Sequence, residues 1–587
     1  MPSNDPSSPS EPVSNDKPGD EAVKEALERI ARDRIVERIW NRDPSVWKAE
    51  PEHQKIISNS LGWLTVVETM LVRVNELVEF AGEIRQAGFK HVALLGMGGS
   101  SLCPEVLRRS FGRVEGHPEL LVLDSTVPAA VLSLERRIDP TKTLFIVSSK
   151  SGKTTEPQVF FEYFFDKVTR AGIAKPGDNF IAITDPGTLL EQIAQENRFR
   201  RVFTNPTDIG GRYSALSFFG MVPAAVAGYD VKEILERAAL AMKSCQGAAG
   251  NPGAELGAAL GAYAIRARNK LTLVSHEPVD KLAACRTGLA SLGLWIEQLI
   301  AESTGKEGVG ILPVAGEQLG SAEVYGSDRV FVNASESSQM GSGAEAALRA
   351  LSEAGHPVVM RTVNDPLDLG REFFIWEFAT AIAGALLGIN PFDQPNVQES
   401  KDNTERLLAE FEKAGQFSTQ EPCAKDDDVS VYCGERTKSL AGQESTPASI
   451  LTSHLASVIA GDYVALTAYV EETPEHEILL QQIRQLIRDS LKIATTLGYG
   501  PRFLHSTGQL HKGGPATGVF IQITSDDAED TEIPGRPYSF GILKEAQALG
   551  DFESLSRRSL RVIRVHLGAD VSAGLGRLPM MVRRALR

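Results

Sequence analysis

From residue 21 to about 86, apolar residues recur at three- and four-residue spacing through ALERIARDRIVERIW and LTVVETMLVRVNELVEFAGEIR, which predicts a helical N-terminal segment. The pattern then shortens. HVALLGM, ELLVLD, TLFIVSS, NFIAIT and RVFTN are brief, rich in strand-forming residues and bounded by Gly, Asp, Ser or Pro, with helical stretches between them. That alternation predicts βαβ units on a parallel, doubly wound sheet over about 87–230. A second α/β unit is expected over 231–413, opened by VKEILERAALAMK and GAALGAYAIRARN, with strands at LTLVSH, GILPV, VFVNAS and PVVMRTV. Residues 414–449 have little periodic apolar content and read as a linker or long surface excursion. Helix and strand signals resume over 450–587, giving an extra C-terminal α/β segment. Residues 1–20 are polar and rich in Pro and Ser, which predicts a disordered tail without the apolar core of a secretion signal.

Two stretches look alike. Residues 328–370 and 462–541 each read strand, helix, strand, then Pro-x-[Asp/Ser]-[Leu/Phe]-Gly, and the second carries an extra PRFLHSTGQLHKGGPATG. An internal repeat would explain this, although any two α/β units share such patterns.

Composition narrows the function. At 587 residues the chain exceeds what one core supports. A net charge of −15 argues against nonspecific binding to nucleic acid or anionic membrane, while leaving room for a small basic pocket. No apolar run reaches the ~18 residues of a membrane span. The five cysteines (Cys103, Cys245, Cys285, Cys423, Cys433) form no CxxC pair and have no histidine grouping nearby. They read as reduced thiols of a cytoplasmic protein, buried as small hydrophobes, and as neither a disulfide framework nor a metal site.

Two loops carry candidate chemistry. GMGGSS, residues 96–101, follows the strand HVALL; its glycines would let backbone N–H groups approach an anion, though a tight strand-to-helix turn explains it equally. SSKSGKTTE, residues 148–156, follows TLFIV and crowds five hydroxyls and two lysines onto a loop that opens a helix. Helix capping needs fewer hydroxyls than this, so a monophosphate cradle is the better reading. The pattern GxxxxGK[ST] is missing, which points to a sugar phosphate rather than a nucleotide.

These loops together resemble the SIS (sugar isomerase) domain family. Three further stretches, DIGGRYSALS (208–217), EQLIAESTGKEGVGILPV (297–314) and NPFDQPNVQESK (390–401), narrow the resemblance to the phosphoglucose isomerase family over about 80–401, nearest its extended bacterial forms such as those fused to transaldolase. The resemblance implies an α/β fold with two doubly wound SIS-type subdomains, and an aldose–ketose isomerase acting on glucose 6-phosphate. It implies that Ser149, Lys150, Ser151 and Thr154 serve the phosphate, and that Gly99 and Ser100 lie beside the sugar. Arg212 would face the enediolate, and Glu302 would carry the proton between C1 and C2. Gln298, one helical turn before Glu302, would contact substrate, with Gln394 and Lys401 near the phosphate and ring oxygen.

The chemistry asks for these types in its own right: a carboxylate for proton abstraction beside a carbonyl, a permanent cation for the enediolate, and His or Lys for ring opening. No metal or organic cofactor is required. One element departs from the family. Its ring-opening histidine should follow the base glutamate by a few tens of residues, yet GILPVAGEQLGSAEVYG contains none. LHSTGQLHKGG near the C-terminus resembles the missing motif and maps His505 onto that role, with His511 as the alternative. In the family this histidine comes from a dimer partner, so the chain is expected to work as a monomer whose C-terminal segment replaces the partner. A sugar-phosphate-binding regulator and an isomerase that also takes mannose 6-phosphate are the competing readings. The first would lack the acid–base set, and the second turns on pocket shape.

Overall fold

The computed structural model of the chain describes residues 18–274, 291–336, 342–418, 420–426, 429–440 and 445–587. The expected tail at 1–20 and Cys285 lie outside them, apart from residues 18–20, which open the helix Pro18–Arg32. Cys103, Cys245, Cys423 and Cys433 are free thiols. Among the described residues no helix is long and apolar enough to cross a membrane.

The first sheet holds β1 (His91–Leu95), β2 (Glu119–Leu123), β3 (Thr143–Ser148), β4 (Phe180–Thr184) and β5 (Arg201–Thr204), in the order β2-β1-β3-β4-β5. All neighbouring pairs are parallel. Strands such as TLFIVS are buried at every position, because helices cover both faces of the sheet. The winding reverses between β1 and β3, and the crevice at such a reversal, beyond the carboxyl ends of the strands, is where open α/β sheets bind ligands. The loops 96–101 and 148–156 leave β1 and β3 there.

The second sheet has β6 (Lys270–Val274), β7 (Leu312–Val314), β8 (Arg329–Glu336) and β9 (Val358–Val363), ordered β7-β6-β8-β9 and parallel throughout. The third has β10 (Ala424–Lys425), β11 (Val429–Cys433), β12 (Tyr463–Ala468), β13 (Ala494–Tyr499), β14 (Gly518–Ser525) and β15 (Arg561–Leu567), ordered β10-β11-β15-β14-β12-β13. Its β15, β14, β12 and β13 are parallel, while β10 and β11 are antiparallel additions at one edge.

Two expectations need correction. The stretch 414–449 is more than a linker: β11 pairs with β15 along five residues, and Val429, Val431 and Cys433 alternate into the core as VSVYC predicts when read with period two. The repeat also sits in another register. After the helix Pro474–Leu491 the chain forms β13 from ATTLGY before reaching β14, so residues 328–370 are not the counterpart of 462–541. The real likeness is between whole sheets. Numbered from its first central strand, each of the three runs second, first, third, fourth.

The second and third sheets approach each other through their edge strands. Arg329 donates to the Ile493 carbonyl (3.2 Å), and Arg484 of the helix Pro474–Leu491 donates to the Ala315 carbonyl just after β7 (2.8 Å). Arg329 and Arg484 are both fully buried, and hydrogen bonds to carbonyl oxygens offset the cost of placing a guanidinium there.

Candidate active site

Loop 148–156 ends in the helix Thr155–Arg170, whose N-cap, Thr154, makes no side-chain capping bond. Ser149 Oγ donates instead to Thr154 Oγ1 (3.2 Å), and the Ser151 hydroxyl accepts from the Lys153 amide (3.3 Å). The first turn of the helix thus has no cap from the Thr154 side chain and lies beside a group of hydroxyls, an arrangement suited to an anion, although the Glu156 amide turns to its own carboxylate. Lys150 differs from the others: its ammonium is bound by the Asp185 carboxylate and by the Thr207 carbonyl (3.2 Å).

Loop 96–101 packs where side chains cannot fit. A Cβ on Gly99 would meet the Gly211 carbonyl oxygen at 2.2 Å and the Arg212 amide nitrogen at 2.9 Å. Gly98 has φ +55°, and a Cβ there would lie 3.0 Å from both Gln298 Nε2 and His505 Cβ. Ser100 is buried beside it, its carbonyl accepting from Ser148 Oγ (3.1 Å). The glycines thus bring three distant stretches of chain against one turn.

Arg212 is 3% exposed and makes four hydrogen bonds, which leaves one Nη1 hydrogen toward Glu302. Nε donates to Ser303 Oγ (2.7 Å), Nη2 to the carbonyls of Pro391 (2.7 Å) and Asp393 (3.0 Å), and Nη1 to Gln394 Oε1 (3.0 Å). Nη1 also stands 3.3 Å from Glu302 Oε1. Glu302 and Gln298 share one face of the helix Leu292–Thr304, as their four-residue spacing requires. Gln298 Nε2 donates to Glu302 Oε2 (3.1 Å) and to the His505 carbonyl (2.8 Å), while its buried Oε1 has no protein donor among the described residues.

His505 closes the short 3-10 turn Arg502–His505 after β13. Its Nε2 lies 3.1 Å from Glu156 Oε1, which also accepts from Gln547 Nε2 (2.7 Å). Burial opposes the ionised form of Glu156, but its contact with His505 and, more weakly, the nearby Lys401 hold its carboxyl below the usual range. Lys401, on the helix Val397–Ala414, lines the same small cavity as Glu156, His505 and Gln547. His511 is elsewhere. It packs in the third-sheet core, stacked on Tyr463 and against Phe503 and the edge-on Phe520, where burial, followed by the nearby Lys512, lowers its pKa to about 3.

The turn bearing His505 is tied down on both sides. Arg502 pairs with Glu472 (2.6 Å) and lies 3.5 Å from Asp124 of the first unit, and Glu472 also pairs with Arg109 (3.0 Å). Beyond the histidine, Gln509 bridges the Gly305 carbonyl (2.9 Å) and Asn396, next but one to Gln394. The structure thus brings Gly99, Ser100, Arg212, Gln298, Glu302, Gln394, Lys401 and His505 into one neighbourhood beside the loop of Ser149, Ser151 and Thr154. Glu156, Ser303 and Gln509 escaped the sequence reading of roles. The signal for Glu156 was available, since it is the glutamate that closes the 148–156 motif.

The phosphoglucose isomerase family model matches residues 29–314, a span that contains both loops, Arg212, Gln298 and Glu302. Over these residues the chain carries a phosphoglucose isomerase domain. A glucose-6-phosphate isomerase of Rubrobacter xylanophilus is 28% identical over 379 residues, covering 55% of this chain and 84% of that protein. One of Leptospira biflexa is 25% identical over 457 residues, covering 68% and 96%. A solved glucose-6-phosphate isomerase of Chlamydia trachomatis shares the fold with a TM-score of 0.53 at 18% identity, over 67% of this chain and 86% of that one. Gln394, Lys401 and His505 lie past the matched span, and their link to the phosphoglucose isomerase loops is the set of contacts above.

Proposed function

We propose that this chain interconverts glucose 6-phosphate and fructose 6-phosphate, by ring opening and then proton transfer through an enediolate, with every acting group drawn from one chain. The carrying observation is that Gln298 bonds Glu302 and the His505 backbone at once, so the base and the ring-opening candidate share one wall.

In this reading the uncapped N-terminus of the helix Thr155–Arg170, with Ser149, Ser151 and Thr154, holds the phosphate. Lys150, held by Asp185, adds positive charge at the rim without touching the ligand. His505, oriented by Glu156, and Lys401 move protons at the ring oxygen and anomeric hydroxyl. Gln298 Oε1 accepts from a sugar hydroxyl. Glu302 removes the proton from C2 and returns it to C1, while Arg212 Nη1 stabilises the oxyanion that forms. Side chains carry the whole sequence of transfers.

The single-chain form is supported by topology. The loop after β7, where the family resemblance locates the histidine, is taken up in packing against the helix Pro474–Leu491. The loop after β13, in the equivalent position of the third sheet, carries His505 instead. The third unit then does for its own chain what a dimer partner would do. We assign the reaction to the cytoplasm, where the free thiols stay reduced.

The test is to follow fructose 6-phosphate formation from glucose 6-phosphate by NMR with EDTA present, in the intact protein and in Glu302→Gln. Turnover by the intact protein, falling about 10²–10⁴-fold in the variant with phosphosugar binding retained, is the expected outcome. A Glu302→Gln variant of near-normal turnover would remove the base from this account.

A further inference from the structure

Lys306 closes the stretch Glu302-Ser-Thr-Gly-Lys and has no part in the proposed chemistry, yet it is one of the most buried cations in the chain, at 1% exposure. All three of its ammonium hydrogens are committed. Nζ donates to the Asn390 carbonyl (2.8 Å), to the Asp393 carbonyl and to Asp393 Oδ1 (2.6 Å). An ammonium has three donors and no acceptor, so none is left for a substrate.

Those acceptors belong to the segment that seats Arg212. The Asp393 carbonyl accepts from both Lys306 and Arg212 Nη2, the Pro391 carbonyl lies between the two Lys306 anchor residues, and Gln394 follows directly and takes Nη1. Residues 390–394 are also held by the Phe392 amide donating to Asn390 Oδ1 (3.0 Å), by Asn390 Nδ2 against Asp393 Oδ2 (3.1 Å) and the distant His53 Nδ1 (3.3 Å), and by the buried Phe392 ring packed on Trp47 and Tyr213, but none of these fixes the Asn390 and Asp393 carbonyls that Lys306 takes. We propose that Lys306 is the positioning residue for Arg212: by clamping residues 390–393 it fixes the guanidinium at the one place from which Nη1 faces Glu302. This rests on the isomerase reading for its catalytic consequence and on the contacts alone for its structural one.

The physical need is clear. Two cations, Lys306 and Arg212, repel across a shared carbonyl, and the carboxylates of Asp393 and Glu302 oppose that repulsion; His53 sits behind Asp393, and the adjacent Glu307 is paired with Lys48 (2.7 Å). Burial first, and then Arg212, lower the Lys306 pKa to about 8. The clamp is therefore mostly charged at neutral pH and loses its charge as pH rises through about 8. A side chain fixed by a remote clamp acts on the reaction through placement, and a displacement near 1 Å costs about 10²-fold in rate.

The test is Lys306→Met in the full chain, made alone and in an Arg212→Lys background. Expected are a fall in kcat of about 10²-fold with KM changed by less than about threefold, no further loss when added to Arg212→Lys, and a kcat that declines above pH 8 in the intact protein but not in the variant. A loss expressed in KM, full multiplication of the two single losses, or an unchanged kcat overturns the proposal. An activity-independent readout separates this from the isomerase reading: the Arg212 Nε–H signal, bonded to Ser303 in the intact protein, should become fast-exchanging in Lys306→Met, and its persistence refutes the clamp whatever the substrate. Should Lys306→Met fail to fold, Asp393→Asn weakens the same bridge and must produce the same split.

Discussion

The first and third sheets are wound alike, and they serve the site by different means. The loops after β1 and β3 lie at the first sheet's reversal point and offer backbone amides and hydroxyls, placed by glycines that admit no Cβ. The loop after β13, at an edge of the third sheet, offers one imidazole. An anion cradle is made of backbone and needs only the right turn, whereas an acid–base side chain delivered from another sheet needs anchors. The third sheet has them in Arg502 and Gln509, on either side of His505.

Perturbing each region should give opposite kinetic signatures. The largest effect is expected from Ser151→Ala with Thr154→Ala, which removes hydrogen bonds to a charged group worth about 1.5–3 kcal/mol each, raising KM by about 10²–10⁴-fold with a smaller change in kcat. Steady-state kinetics and phosphate titration check this, and unaltered phosphate affinity would move the anion elsewhere. Next, His505→Ala should lower kcat for the cyclic sugar by about 10²–10³-fold and spare a phosphosugar that cannot close a ring. Equal losses on both substrates would mean that His505 does not act at the ring. The smallest effect is expected from Arg502→Met, which leaves the imidazole in place but frees its turn. Here kcat should drop about tenfold with KM unchanged, and the loss should follow the ring-opening step alone. A loss in KM instead would tie Arg502 to the cradle.

Much of this was legible in the sequence, for a definable reason. The first sheet, both loops and the Gln298–Glu302 helix are local: strand, turn and helix follow one another, and the four-residue spacing alone puts two side chains on one face. The strand ATTLGY was hidden because four of its six residues are small or polar, although five of the six are buried in a sheet covered on both sides. Strand β11 was hidden by its polar flanks. The role of Glu156 depends on His505 arriving from a position 349 residues away, and that of Lys306 on carbonyls of residues 390–393. Such partnerships are made by the tertiary fold, and no window of sequence contains both members.

The claim that one chain holds the complete site is tested most directly by complementation. Glu302→Gln and His505→Ala are each expected to be nearly inactive, and the two proteins should be mixed, partly unfolded and refolded together, then assayed. If base and histidine act within one chain, every refolded molecule still lacks one of them, and the mixture stays as inactive as its components. If His505 instead serves a neighbouring chain, mixed dimers would contain one intact site, and about a quarter of intact-enzyme activity would return for random pairing of equal amounts across a two-fold interface. That recovery would contradict the single-chain account.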